Sequence, residues 1–120
     1  MYRIYLYLLH FYYIGSDMKI EYIKNSDVSR ALIGVPKGHR HLRVILILKD
    51  KRVLIFSEAT IANLTRAYVN IKTHPEKRAI ELKLTKGDNF KSGYAKYQLL
   101  EVERNEDEIE EEITRILALQ

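Results

Sequence analysis

The stretch Gly34-Val35-Pro36-Lys37-Gly38-His39-Arg40-His41-Leu42-Arg43 puts two glycines and five basic or titratable side chains into one short segment that leads into an apolar run. Such a loop can wrap phosphates. Arginine offers a forked pair of donors to phosphate oxygens, lysine a point charge, and glycine a close approach of the backbone. Lys37, His39, Arg40, His41 and Arg43 are therefore candidate phosphate or nucleic-acid contacts, although the spacing is not that of the GxxxxGK[ST] phosphate loop. A second candidate runs from Lys86 to Tyr97, where Lys86, Lys91 and Lys96 interleave with Phe90, Tyr94 and Tyr97. Aromatic faces there could stack unpaired bases while ammonium groups meet the backbone. The competing reading is a core-facing tyrosine on a lysine-blunted edge strand.

Other chemistries find less support. His39 and His41 could chelate from nearby positions, with His10 and His74 the remaining histidines, but no cysteine and no carboxylate motif completes a set, so neither metal nor cofactor is expected. None of Ser16, Ser26, Ser29, Ser57 or Ser92 stands in a nucleophile motif, and no enzymatic activity is expected. Lys72, His74, Lys77 and Arg78 suit the negative end of a preceding helix. Asn63-Leu64-Thr65 matches the glycosylation triplet but falls mid-helix.

Composition sets the frame for these residues. A chain of 120 residues with 47% hydrophobic and 30% charged residues has the size and balance of one soluble domain. The absence of cysteine removes disulfides, thiolate zinc sites and thiol nucleophiles, and fits a reducing cytoplasm. Two methionines and dense charge resemble thermophile usage. The net +4 is uneven: residues 1–100 carry 18 Lys plus Arg against 8 Asp plus Glu, a net +10, while residues 101–120 carry 2 against 8, a net −6. That asymmetry points to a polyanion partner for the basic body, or to pairing of body and acidic segment within or between subunits.

The elements that must position these groups follow from the apolar spacing. The first 17 residues hold five of the nine tyrosines and read as a strand from Tyr2 to Ile14, too short for a membrane span and without the marks of a signal peptide. Apolar residues on both its faces, with Tyr5 and Tyr7 on one, make it a central strand or part of a subunit interface. Met18 is an alternative translation start. Met18 to Lys24 alternates as a strand, and Ser26 or Asp27 can cap a short helix through Leu32. His41 to Lys49 and Arg52 to Ser57 read as strands buried on both faces, joined in a hairpin at Asp50-Lys51. Ser57 caps a helix from Glu58 to Thr73 with Ile61, Leu64, Tyr68 and Ile71 along one stripe, ended by Pro75. Ile80 to Thr85 and Gly93 to Glu103 form a second hairpin, and Glu106 to Leu119 an amphipathic helix with Ile109, Ile113, Ile116 and Leu117 as its apolar stripe. The expected fold is α+β: one domain, residues 1–120, with a mainly antiparallel sheet and two longer helices and one short helix packed on one face. Within it, 1–17 is the aromatic strand or extension, 18–104 the sheet with its central helix, and 105–120 the acidic helix.

Glu58-Ala59-Thr60-Ile61-Ala62-Asn63-Leu64-Thr65-Arg66 resembles the helix start of the L-type assembly subunit of archaeal RNA polymerase, an acidic residue followed by Thr-Leu-Ala-Asn-Leu-Leu-Arg. The resemblance covers about nine residues. It implies a similar order of strands and helices and pairing with a partner subunit through helices. Ala59 stands where that family has His, His74-Pro75 follows the helix directly, and the aromatic amino-terminal strand has no counterpart. The whole chain is also similar to small, uncharacterised proteins of thermophilic archaea, which implies no activity.

The leading expectation is a small cytoplasmic protein that binds RNA or DNA through phosphate contacts of the basic loop, with Phe90, Lys91, Tyr94 and Lys96 as a stacking side. The alternative is an interaction or assembly module, a homo-oligomer or a subunit of a larger complex, with Tyr5, Tyr7, Ile109, Ile113 and Ile116 at its interface. No membrane partner is expected.

Overall fold

The computed structural model describes residues 19–87 and 95–120. The aromatic strand with Tyr5 and Tyr7, and the loop residues Phe90, Lys91 and Tyr94, lie outside the described residues.

The element order is strand β1 (Val28–Gly34), β2 (Arg43–Leu48), β3 (Val53–Ser57), helix α1 (Glu58–Thr73), β4 (Leu82–Lys86), β5 (Tyr97–Glu101) and helix α2 (Glu106–Leu117). The class is α+β and every described strand pair is antiparallel. The expected single sheet is instead divided into β1-β2-β3 and β4-β5, with α1 touching β2 and β3 of the first and β5 of the second. One side chain marks the division. Asn63 of α1, 4% exposed, accepts the backbone N–H of Leu99 in β5 at 2.7 Å, so that donor is taken by an amide oxygen rather than by a third strand.

Two expectations near the start are corrected. Lys19–Lys24 pairs with no strand, and the short helix through Leu32 is absent, replaced by a single 3-10 turn at Asn25–Asp27 followed by β1. Asp27 turns its carboxylate back to accept the N–H of Lys24 at 2.9 Å and therefore caps no helix ahead of it. Leu32 and Ile33 are then drawn into register against Ile45 and Val44, since a β-branched strand alongside outweighs a local helical preference.

The remaining elements follow their expected chemistry. In the β2–β3 hairpin Lys51 takes φ 73°, and Asp50 accepts from the N–H and Nε of Arg52 at 3.1 and 2.8 Å. Ser57 Oγ accepts the N–H of Thr60 at 3.3 Å, capping α1 as expected, and Asn105 caps α2 by accepting from Glu108 N at 3.2 Å. Helix α1 keeps Ile61 and Ile71 of the expected stripe half-buried, but its most buried position is a different residue. Asn63 is buried with Thr60, Ala67 and Asn70 half-buried beside it, whereas Leu64 and Tyr68 are exposed. No described helix is long and apolar enough to cross a membrane.

Candidate interaction surface on the three-stranded sheet

Residues directly opposite one another in antiparallel strands project to the same face, so the register sorts the sheet into two surfaces. One carries Val44, Leu46, Leu54 and Phe56, all half-buried, with Leu48 at 2% exposure. The other, here the outer face, has rows Arg30–Ile47–Val53, Leu32–Ile45–Ile55 and Gly34–Arg43–Ser57. Its centre is aliphatic. Yet Leu32, Val53 and Ile55 are 45%, 52% and 65% exposed. An antiparallel sheet with one wet face ordinarily alternates apolar and polar residues, and this one does not. The expectation that β2 and β3 are buried on both faces is thus corrected: within the described chain only one face of β3 is covered.

The basic loop is the turn joining β1 to β2. His39 N–H donates to Pro36 O at 3.1 Å and Gly38 has φ 78°, the left-handed position that favours glycine. Lys37, His39 and Arg40 are exposed and pair with no described carboxylate. The other two members are engaged locally. Arg43, half-buried, folds its guanidinium onto the carbonyls of His41 and Leu42 at 2.6 and 3.4 Å, and His41 Nδ1 lies 3.6 Å from Glu58 Oε2. Glu58, which sequence reasoning passed over, fastens the turn to the start of α1. It accepts the N–H of Leu42 at 2.9 Å, and chiefly that bond, with His41 and Arg43 adding to it, holds its carboxyl below the usual range. Its signal in the sequence was only its place one residue after a cap.

From Val28 to Lys49 the chain holds five Lys or Arg and no carboxylate. The outer face is therefore aliphatic at its centre, with Arg30 and Arg43 in its flanking rows and Glu58 fastened beside the turn at one end.

The second candidate region is only partly described. Lys96 is exposed, as is Tyr97 (53%), and β5 pairs Tyr97 with Lys86. Of the terminal-helix residues expected at an interface, Ile109 is 6% exposed and packs in the core of its own chain, Ile116 is half-buried and Ile113 is 47% exposed.

A shallow cleft of about 370 Å³ lies beside the β2–β3 turn, lined by Glu21, Tyr22, Ile23, Asp27, Leu48, Lys49, Asp50 and Arg52. Its arginine is already held between Glu21 (2.5 Å) and Asp50 (2.8 Å), which raises the guanidinium pKa through the Glu21 hydrogen bond first and then that of Asp50. Among the described residues no three His, Asp or Glu side chains converge as a metal site would require. Comparison with known protein families, curated proteins and solved structures finds no match.

Proposed function

We propose that this chain is a protein-interaction module that works by burying the outer face of its three-stranded sheet against another polypeptide. The observation that carries this reading is the aliphatic row Leu32–Ile45–Ile55, half-buried at Ile45 but exposed at Leu32 and Ile55, with the exposed Val53 beside it, on a face where water contact is ordinarily met by polar residues. Leu64 and Tyr68 of α1 are exposed as well, a separate apolar surface in keeping with the helix-mediated pairing that the nine-residue resemblance implies. A cysteine-free chain rich in ion pairs fits a cytoplasmic protein of a thermophile, and that source and location belong to the same proposal. The test is a benzophenone amino acid in place of Ile55, irradiated in cells that make the protein. Discrete cross-links to a polypeptide are expected at position 55 and not at the exposed Glu103; the absence of any polypeptide adduct at 55 overturns the reading.

A second reading, binding of RNA or DNA, is favoured by one observation: Lys37, His39 and Arg40 project from a glycine-bearing turn in a segment without carboxylates. Phosphate contact there would be sequence-independent. Fluorescence anisotropy of a labelled single-stranded RNA at two salt concentrations tests it. Lys37→Ala/Arg40→Ala is expected to weaken all sequences alike and to reduce the slope of log affinity against log salt by roughly 1.4, and identical curves for variant and wild type remove it.

A further inference from the structure

We infer that two copies of this chain associate reciprocally, the acidic helix α2 of each lying on the cationic, aliphatic outer sheet face of the other. This rests on the interaction reading above. Two surfaces of the same molecule have complementary chemistry. The sheet offers an aliphatic centre with Arg30 on the same face, in a segment, Val28 to Lys49, that carries five Lys or Arg and no carboxylate. Helix α2 belongs to a segment of net charge −6 and is only partly used by its own chain. It buries Ile109, and most of its carboxylates are engaged within the chain, Glu110 with Arg78 (2.7 Å), Glu112 and Glu108 with Arg104 (2.7 and 3.9 Å), Glu111 with Arg115 and Glu106 with the N–H of Arg78 (3.2 Å). Ile113 and Leu117, four residues apart and so stacked one turn above the other, are each left 47% exposed, and Asp107 is exposed and meets no described cation.

The dimensions agree. A twelve-residue helix is about 18 Å long. Three strands spaced about 4.8 Å apart, contributing five to seven residues each at about 3.3 Å, present a patch of comparable length and a width suited to one helix.

Other occupants fit less well. Packing sheet on sheet would bring the Arg30, Lys37 and Arg40 of both copies together, and apposed like charges oppose association. A nucleic acid would match the cations but not the centre, because bases stack on aromatic rings and the rows of the outer face hold none. A helix-to-sheet contact made twice about a twofold axis closes on itself, giving a dimer and no filament.

The test is sedimentation of the full chain across a range of concentrations at low and high salt, with Ile55→Glu on the sheet and Ile113→Glu/Leu117→Glu on α2. All three sites are exposed, and circular dichroism verifies that each variant is folded. The wild type is expected to reach twice its 14.2 kDa mass, more readily at low salt. Each variant alone is expected to self-associate roughly thirtyfold more weakly or worse. Mixing the two variants is expected to restore part of the association, since the sheet of one and the helix of the other remain intact. A wild-type monomer at every concentration, a dimer indifferent to Ile55→Glu, or no recovery on mixing each overturns the inference. A monomer whose position 55 still cross-links to a different polypeptide separates its failure from that of the interaction reading.

Discussion

Apart from Arg52, which Glu21 and Asp50 hold at the β2–β3 turn, the two halves of the molecule treat their arginines in opposite ways. In the half built on β4, β5 and α2, Arg78 meets Glu110, and Arg104 meets Glu81 (2.8 Å), Glu112 (2.7 Å) and Glu108 (3.9 Å). Those carboxylates, Glu112 first, raise the Arg104 pKa against the opposing effect of desolvation. In the half built on β1, β2 and β3, Arg30 and Arg40 meet no described carboxylate, and Arg43 rests on backbone carbonyls. One half has its charges closed internally, and the other leaves charge and apolar surface open together. Unneutralised cations beside an uncovered aliphatic face are what a surface awaiting a partner looks like, whereas an arginine shared among three carboxylates is what holds a helix to its own chain.

The largest expected effect falls on the closed half. Asn63→Ala removes the acceptor of the Leu99 N–H and leaves that donor without a partner between helix and sheet; a loss of about 1–3 kcal/mol is expected in urea unfolding. Unchanged stability would mean that the junction between α1 and β5 does not depend on this bond. Next, Arg104→Met leaves Glu81 and Glu112 facing one another, and about 1 kcal/mol should be lost at low salt and less in molar salt. Equal losses at both salts would show that packing rather than charge fastens α2.

The open half should behave differently. Lys37→Glu/Arg40→Glu is expected to change stability by no more than about 0.5 kcal/mol, since neither residue pairs with a carboxylate among the described residues, and a destabilisation well above that would erase the contrast between the halves. The smallest effect is one of pH. Because Glu58 titrates below its ordinary value in the folded chain, its contribution is complete above the ordinary carboxylate range and is lost as pH falls through the lowered folded value. Faster amide exchange at Leu42 in that acid window, abolished in Glu58→Gln, is the expected signature.

Much of this was legible in the pattern of residues. Helix α1 was bounded by a cap at Ser57 and a stop at Pro75, and the β2–β3 turn by Asp50-Lys51, because local chemistry decides those positions. Strand β1 was not legible. Ser26, Asp27 and Ala31-Leu32 favour a helix locally, and only pairing with β2 overrides them. Of the packed side of α1, apolar spacing found Ile61 and Ile71 but not Thr60, Asn63, Ala67 and Asn70, whose polar or small side chains carry no hydrophobic signal. The unbroken apolar runs of β2 and β3 did signal that both faces want cover; which chain supplies the second cover is not written in their periodicity.

The central claim is that Ile55 is shielded in the working state of the protein. The natural chain has no cysteine, so a single Ile55→Cys variant reports on that shielding without background. Its rate of labelling by a water-soluble maleimide inside cells, compared with Glu103→Cys, is predicted to be at least tenfold slower, and to approach the Glu103→Cys rate once the protein is diluted in denaturant. Equal rates at the two positions in cells would show the outer sheet face bare to water and would contradict the account.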